Sequence, residues 1–268
     1  MDDLEKISTE IRKDIIRMTY NTGLVGAHIG GSLSLAEIMA VLYSKANINK
    51  DNLNNENRDR IILSKGHGVI AQYAAMKQVG IITYEDILTF KKNDSLLSAH
   101  PSMNRPQGIE FSSGSLGQGL SLGVGVCLAL KRKNNLTSKV FVILGDGECN
   151  EGSVWEAVMS AAHYNLNNLI VIVDKNKFQY DGNTFDIMNM DNLEGKFKSF
   201  NWDVVTVNGH NCNEIFGAIN KVHYKPLAII ADTVKGKGVS FIENDYKWHN
   251  HRLTDVQYEQ AMKEQERN

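Results

Sequence analysis

The stretch VFVILGDGECNEGSVWEA, from Val140 to Ala157, joins an apolar strand pattern to a dense group of acidic residues. The apolar run ends in Gly-Asp-Gly, and four carboxylates follow within eleven residues, those of Asp146, Glu148, Glu151 and Glu156. Charged groups are costly to remove from water unless a partner compensates for them. The stretch therefore predicts a buried strand whose end faces a positive group.

Four other apolar runs rich in Val and Ile share the pattern of residues 140–144, at 60–63, 169–173, 204–207 and 227–231. Helical patterns occur at 34–43, 153–164, 213–222 and, at the start of the chain, through Leu4, Ile7, Ile11, Ile15 and Met18. Apolar strands that alternate with helices predict an α/β fold, with a doubly wound, mainly parallel sheet and helices on both faces. Because no Pro/Gly/Ser-rich linker interrupts the pattern, we expect residues 1–268 to form a single domain.

Composition narrows the classes of function. The chain has 29 basic and 31 acidic residues and a net charge of −2, so no nucleic-acid partner is expected. Its three cysteines, Cys127, Cys149 and Cys212, have no C-x-x-C spacing, which is typical of a reducing compartment without disulfides or a zinc site. The charged N-terminus has no apolar signal region, and we expect the protein to be cytoplasmic.

Residues 116–130 form an apolar segment with a G-x-x-x-G pattern at Gly119 and Gly123. The segment is too short to cross a bilayer and contains Gln118, so no membrane association is expected. We interpret it as a buried helix whose small residues allow close packing against the sheet or another copy of the chain.

Polar, glycine-rich segments follow all five strand patterns: SKGHG, GDGECNEG, DKNKFQYDG, NGHN and DTVKGKG. Glycine lets the backbone approach a ligand closely, and open α/β sheets bind ligands at the carboxyl ends of their strands. Together these segments predict one composite binding site at that edge of the sheet.

Asp146 and Asn176 follow two consecutive strand patterns. They are either a turn residue and a helix cap or, as we favour, oxygen ligands for a hard cation such as Mg²⁺, which commonly also binds phosphates. The spacing, GDG followed by 28 residues and Asn, resembles the signature of thiamine-diphosphate-binding enzymes. This resemblance implies thiamine diphosphate and Mg²⁺ as cofactors, with Ca²⁺ or Mn²⁺ as substitutes for the cation.

Further motifs resemble those of transketolases and occur in the same order. They are GAHIGGSLSLAEI from Gly26, SKGHG, GSLGQGL from Gly114, GDG-x-x-x-EGSVWEA, VKGKG and the pair Trp248-His249. The resemblance runs from about residue 10 to residue 260 and implies the N-terminal, diphosphate-binding half of a transketolase. Such an enzyme transfers a two-carbon ketol unit from a ketose phosphate to an aldose, a reaction of pentose phosphate and carbohydrate metabolism.

Transketolases of full length continue with a pyrimidine-binding domain and a C-terminal domain. This chain instead ends in a charged helical pattern with a capping box at Thr254 and Gln257. The resemblance is therefore to the small subunit of a split transketolase. It implies a C-terminal partner subunit with the two other domains and the glutamate that activates the aminopyrimidine. It also implies self-association into a heterotetramer and activity only with the partner.

The resemblance implies roles for individual residues. The implied metal ligands are Asp146, Asn176 and the backbone carbonyl of Phe178. The implied cofactor contacts are Asn176, the backbones of Gly114, Leu116 and Gly147, and the side chains of His67, Glu156, Lys235 and His249. The implied catalytic residues are His28, His100, His249 and Glu151.

Histidine donates to oxyanions and carries protons near neutral pH. The resemblance places His28, His100 and His249 along the channel to the reactive carbon, where they bind the donor sugar, and His67 at the diphosphate. The remaining histidines match no catalytic position, and we expect them to be surface or partly buried residues: His163, His210, His223 and His251.

The acids of residues 140–157 thus have separate expected roles. Asp146 faces the cation. Glu151 and Glu156 match residues at the subunit interface, where acids and waters link paired active sites and a shared proton raises the pKa of one carboxyl. We expect Glu148 to be a loop or surface charge.

Two segments depart from the family pattern. WHNHRL has Asn250 where the small subunits have glycine, and SLLSAHPS lacks the family's glycines before the His-Pro pair. Both segments face substrate in the family, so the particular sugar stays open.

Three alternatives also stay open. The chain could belong to another thiamine-diphosphate enzyme, as a 2-oxo acid dehydrogenase alpha subunit or a deoxyxylulose-phosphate synthase, although GAHIGG and Trp-His oppose the first and the length opposes the second. A cofactor-binding module without catalysis would not need the motif histidines. A Mg²⁺–nucleotide domain would need an unusual phosphate loop, since G-x-x-x-x-G-K-[ST] is lacking.

Overall fold

Five parallel strands form one sheet with the order β1-β2-β3-β5-β4. The computed structural model describes residues 2–135 and 137–266. Its strands are β1 (Arg60–Leu63), β2 (Val140–Gly145), β3 (Leu169–Lys175), β4 (Asp203–Asn208) and β5 (Leu227–Asp232). The five strands predicted from the sequence are confirmed, and four of them extend by one or two residues.

The α-helices of the described residues lie before, between and after these strands. They are α1 (Asp2–Asn21), α2 (Gly30–Leu33), α3 (Ala36–Lys45), α4 (Val69–Gln78), α5 (Tyr84–Ile87), α6 (Gly119–Arg132), α7 (Gly152–His163), α8 (Thr184–Met188), α9 (Leu193–Ser199), α10 (Cys212–Ile219) and α11 (Asp255–Glu264). The capping box predicted for the last helix is confirmed, because the Thr254 hydroxyl accepts from the backbone N–H of Gln257 and the Gln257 side chain accepts from that of Thr254.

Helices cover both faces of the sheet. Phe141 and Ile143 of β2 join an apolar cluster with α1, α3, α4 and α10, whereas Val142 and Leu144 join a second cluster with α6, α7 and α9. Successive side chains of a strand point to opposite faces, so both faces of β2 are buried. This explains why its sequence is a continuous apolar run and confirms the predicted α/β class.

The path of the chain explains the division of the helices. From β1 to β4 the chain crosses the sheet in one direction, and from β4 to β5 it turns back. The forward connections from β2 to β3 and from β3 to β4 carry α7 and α9 on one face, and the return connection carries α10 on the other. Right-handed crossovers require this change of face when the direction reverses.

The helices predicted from the sequence are present with shifted ends. The pattern at 34–43 is α3, which begins two residues later and follows the short α2. The pattern at 153–164 is α7, which begins one residue earlier. The pattern at 213–222 was extended too far, because α10 ends at Ile219.

The interpretation of residues 116–130 as one buried helix was only partly correct. Residues 116–118 precede the helix, which begins at Gly119, and only one face of α6 is buried. Ser121, Gly125 and Ala129 lie on the other face and are exposed. Within the described residues, no helix is long and apolar enough to cross a membrane.

Two glycines of α6 provide a matched test of this packing. A Cβ at Gly123 would lie 2.6 Å from Cγ2 of Val142 in β2, whereas a Cβ at Gly125 would meet no atom within 4 Å. We expect Gly123→Ala to lower the free energy of unfolding by about 1–3 kcal/mol through overpacking. Gly125→Ala should raise it by about 0.5–1 kcal/mol, because alanine favours the helix. Urea unfolding of both variants checks this, and effects of equal sign would contradict the packing of α6 on β2.

Candidate functional site

The carboxyl ends of the strands open into a cavity of about 630 Å³. The segments that follow β1, β2 and β3 all contribute to its lining, as the glycine-rich strand exits predict. Most of the residues singled out from the sequence lie at this one cavity, including His28, Asp146 and Asn176.

The pairing of β2 with β3 brings Asp146 and Asn176 together. Gly145 lies opposite Asp174 in the parallel register, and the backbone N–H of Asp146 donates to the carbonyl of Asp174 at 3.2 Å. Asp146 and Asn176 are therefore the first polar residues beyond two adjacent strand ends. Both are buried, and both line the cavity together with Phe178.

The donor set at this position fits a hard divalent cation. It consists of the Asp146 carboxylate, the Asn176 amide oxygen and the Phe178 backbone carbonyl, and oxygen ligands of this kind hold Mg²⁺ together with water or phosphate. The Asp146 carboxylate also accepts from the backbone N–H groups of Gly147 and Lys177, at 2.9 and 2.8 Å. Burial and, to a smaller extent, the neighbouring Asp174 carboxylate raise the pKa of Asp146 to about 6, so a cation would stabilise the charged form.

Gly147 and Lys235, two predicted contacts of the diphosphate, differ in their position relative to the cavity. Gly147 lines the cavity, and a Cβ there would lie 3.1 Å from the Gln179 side chain. Lys235 is buried and is not among the described residues that line the cavity, but its Nζ lies 3.1 Å from Nδ1 of His249, which does line it. Burial and, to a smaller extent, the Lys65 ammonium lower the pKa of Lys235 to about 8.

Four histidines form one cluster in the cavity wall. The distances between ring centroids are 5.3 Å for His28–His100, 5.4 Å for His28–His249, 5.0 Å for His67–His249 and 5.9 Å for His28–His67. These residues come from four segments that are distant in sequence. The structure therefore brings together all four histidines that the motifs singled out.

Burial keeps these imidazoles neutral. It lowers the pKa of His28 to about 4, with help from His100, and the pKa of His249 to about 3, with help from the Lys235 ammonium. The pKa of His67 is well below its ordinary value through burial and the Lys65 ammonium, and burial also lowers that of His100. Neutral imidazoles offer one donor and one acceptor each, which suits hydrogen bonds to sugar hydroxyl and carbonyl groups.

A backbone bridge joins an N-terminal and a C-terminal segment of the chain at this cluster of histidines. Ala27 and His251 pair in antiparallel fashion, with N–H···O distances of 3.0 Å in both directions. The bridge places His28 beside His249. Asn250, which replaces the family's glycine, has φ −137° and ψ 110°, an extended conformation open to any residue, so the substitution leaves the path of the loop unstrained.

The predicted contacts to the cofactor ring lie on the segment before α6. Gly114 and Leu116 both line the cavity, and a Cβ at Gly114 would lie 3.8 Å from the His100 ring. The segment is held by the Ser113 N–H, which donates to the carbonyl of Pro101 at 3.1 Å.

The expectation that Glu148 is a surface charge was wrong. Its carboxylate is buried, lines the cavity and accepts from the N–H groups of Gly117 and Gly145, at 2.8 and 3.0 Å, and from the Ser64 hydroxyl. Burial raises its pKa. The sequence predicted a positive partner for these acids, but the hydrogen-bond donors to Glu148 are neutral groups from three segments. The spacing of the acids does not indicate that Glu148 is buried.

The sequence did not predict a buried pair of opposite charges either. Lys65, in SKGHG, forms a fully buried ion pair with Asp174, two residues before Asn176. Both residues lie in quoted motifs. The sequence pattern places Asp174 in the polar segment after the strand, whereas in the structure it belongs to β3. A charged residue inside an otherwise apolar strand is the signal that could have revealed it.

The two remaining acids of residues 140–157 differ in position. Glu151 is exposed and lines the cavity, whereas Glu156 is exposed on α7 and is not among the described residues that line it. Their roles at an interface stay predictions.

The other histidines match the expectation of surface or partly buried positions, with His163 and His251 exposed and His223 half-buried. His210 is partly buried, and its Nε2 accepts from the backbone N–H of Val234 at 2.8 Å, while Nδ1 lies 3.0 Å from the Glu37 carboxylate. It thereby supports the backbone next to Lys235.

The lowered histidine pKa values predict how stability depends on pH. The unfolded chain binds protons at His28 and His249 near pH 6.5, whereas the folded chain binds them only near pH 4 and 3. The stabilisation is therefore complete above about pH 6.5 and is lost as the pH falls from there through about 4 and 3. Urea unfolding across this range checks the slope. The variant His28→Asn/His249→Asn should have a shallower slope, and an unchanged slope would contradict the neutral state of these imidazoles.

Comparison with known proteins identifies the family. The family model of the transketolase thiamine diphosphate binding domain matches residues 13–265. The chain is similar to the 6-deoxy-6-sulfo-D-fructose transketolase subunit SqwG of Clostridium sp. (strain MSTE9), with 39% identity over 269 residues, which cover 99% of this chain and 97% of that protein. It is also similar to an apulose-4-phosphate transketolase subunit of Phocaeicola vulgatus, with 37% identity over 98% of this chain and 94% of that one.

Solved structures give the same result. The transketolase of Campylobacter jejuni superposes with a TM-score of 0.92 and 29% identity over 99% of this chain, which spans 43% of that longer chain. These relatives favour transketolase over the alternatives that the sequence left open. The chain therefore belongs to the transketolase family and corresponds to its thiamine diphosphate binding domain.

Proposed function

We propose that this chain is the N-terminal subunit of a split transketolase. With a partner subunit it transfers a two-carbon ketol unit from a ketose phosphate to an aldose, using thiamine diphosphate and Mg²⁺, or Ca²⁺ or Mn²⁺ in its place. The proposal rests on one observation: a set of oxygen donors and a cluster of four neutral histidines line the same cavity.

The cation and the diphosphate are held at the ends of β2 and β3. Asp146, Asn176 and the Phe178 carbonyl bind the cation, and the Gly147 backbone approaches the diphosphate. Further donors to diphosphate oxygens are His67, Lys235 and His249, and such bonds are strengthened by the charge of the acceptor. When bound, thiamine diphosphate supplies the carbon nucleophile that attacks the ketose carbonyl.

The histidines act on the sugar. The backbones of Gly114 and Leu116 hold the ring of the cofactor, so that the donor sugar lies against His28, His100 and His249. Neutral imidazoles donate hydrogen bonds to the sugar oxygens and exchange protons with them as bonds form and break. Burial of the cluster limits the access of water to the reacting atoms.

A partner subunit completes the site. The related subunits have nearly the length of this chain, and we propose that the pyrimidine-binding and C-terminal domains lie on a separate chain. Two apolar side chains that line the cavity, Tyr180 and Met188, are exposed, which supports a covering partner. Glu151 and Glu156 are exposed as well and fit a contact between two copies in a heterotetramer, where Glu156 would approach the cofactor and Glu151 would link the catalytic centres.

The substrate class follows from the relatives. One is named for a sugar with a sulfo group and the other for a sugar phosphate. We propose an anionic ketose and an aldose acceptor of the kind found in pentose phosphate metabolism. The three cysteines are buried and free, which is consistent with a cytoplasmic location.

The need for a partner can be tested directly. We expect the purified chain to give no turnover with thiamine diphosphate, Mg²⁺, a ketose phosphate and an aldose phosphate, because half of the cofactor site is on the other chain. A coupled assay for the released aldose measures this. Full turnover by this chain alone would contradict the split enzyme.

The cation assignment can be tested by binding. We expect Asp146→Ala to abolish retention of thiamine diphosphate at moderate Mg²⁺, as measured by calorimetry, because the buried carboxylate is the only charged cation ligand proposed for this chain. The matched control is Asp186→Ala, which removes an equal charge from an exposed position on α8. Equal binding by both variants would exclude Asp146 from the cation site.

A further inference from the structure

The buried ion pair of Lys65 and Asp174 has no part in the function proposed above. Both side chains are almost completely excluded from solvent, and Lys65 Nζ also donates to the carbonyl of Gly31 at 3.0 Å. Taking two charges out of water is costly, and apolar residues of similar volume often replace such a pair without loss of stability. Stability of the fold alone therefore does not explain why two charged residues occupy these positions.

The Asp174 carboxylate accepts hydrogen bonds from side chains of four segments of the chain. Its Oδ2 accepts from Lys65 Nζ after β1, from Ser34 Oγ after α2 at 2.8 Å, and from Asn176 Nδ2 after β3 at 3.1 Å. Its Oδ1 accepts from the Thr233 hydroxyl after β5. One carboxylate thus joins four segments beneath the proposed cation site.

Among these partners, Asn176 is the one whose orientation matters for a cation. Asn176 lines the cavity, its Nδ2 donates to Asp174, and its Oδ1 accepts from the Phe178 N–H at 3.1 Å. An amide has a donor end and an acceptor end. If its NH₂ group turned towards the cavity, it would present hydrogens to the cation and leave no oxygen ligand.

We propose that Asp174, with its charge balanced by Lys65, is a positioning residue that holds the Asn176 amide oxygen towards the cation. The inference rests on Asn176 as a cation ligand in the proposed function. Partners that orient metal ligands commonly contribute 10–100-fold to metal affinity. Ser34 and Thr233 hold the Asp174 carboxylate in turn.

Two double variants separate orientation from charge. Both Lys65→Met/Asp174→Leu and Lys65→Met/Asp174→Asn remove the ion pair and leave the net charge of the site unchanged. Only the asparagine variant keeps an oxygen that can accept from Asn176 Nδ2. Mn²⁺ binding to the full chain with thiamine diphosphate is measured from the loss of the free-ion signal in electron paramagnetic resonance.

We expect the leucine variant to bind Mn²⁺ about 10–100-fold more weakly than the wild type, and the asparagine variant to retain most of the affinity. Should the leucine variant fail to fold, Lys65→Met/Asp174→Ala removes the same acceptor with a smaller side chain and takes its place. Thermal unfolding of each variant shows that the comparison is made on folded protein.

Glu110→Gln is the control for loss of a buried ion pair as such. It breaks the buried Arg58–Glu110 pair, whose side chains are 3% and 5% exposed and are not among the described residues that line the cavity. We expect a lowered unfolding temperature with wild-type Mn²⁺ affinity.

The outcomes are distinct. Equal Mn²⁺ affinity in the leucine and asparagine variants would overturn the positioning role and leave the proposed function intact. A wild-type chain that binds no Mn²⁺ with thiamine diphosphate would contradict the proposed cation site, and this inference with it.

Discussion

The parallel pairing of β2 with β3 is the constraint on which the site depends. Because Gly145 lies opposite Asp174, the residues that follow the two strands, Asp146 and Asn176, meet at one edge of the sheet. A shift of register by one residue would move each strand's buried side chains to the other face. The two apolar clusters therefore fix the register, and the register fixes the spacing of the oxygen donors.

That edge concentrates charge in a region with little water. Asp146, Glu148, Asp174, Lys65 and Lys235 are all buried there. The acids find different compensations: a fixed ion pair with Lys65 for Asp174, neutral donors for Glu148, and, in our proposal, a cation for Asp146. The Lys65 ammonium favours the charged form of all three carboxylates, but only that of Asp174 forms an ion pair with it. Hydrogen bonds from backbone amides and hydroxyls also favour a charged carboxylate.

The α/β class, the five strands and most of the cavity residues could be predicted from the sequence. Continuous apolar runs indicate buried strands, and the motifs that follow them indicate where the strands end. The burial of Glu148 could not, since its partners Gly117 and Gly145 contribute only backbone N–H groups, which no residue type signals. The Lys65–Asp174 ion pair could not be predicted either, because it forms only when the segments after β1 and in β3 are brought together by the order of the strands. The exposed face of α6 was missed because small residues serve close packing and open surfaces equally.

The two halves of the site are held by different forces. The cation side depends on the sheet, whose strands are fixed by many backbone hydrogen bonds and buried side chains. On the histidine side, the bridge between Ala27 and His251 joins the segments of His28 and His249, which are more than 200 residues apart in sequence, through two backbone hydrogen bonds. Segments with few bonds open more readily than a sheet. In the function proposed above, the half of the cavity that faces the sugar is therefore the one we expect to adjust as substrate enters, while the half that faces the cofactor stays fixed.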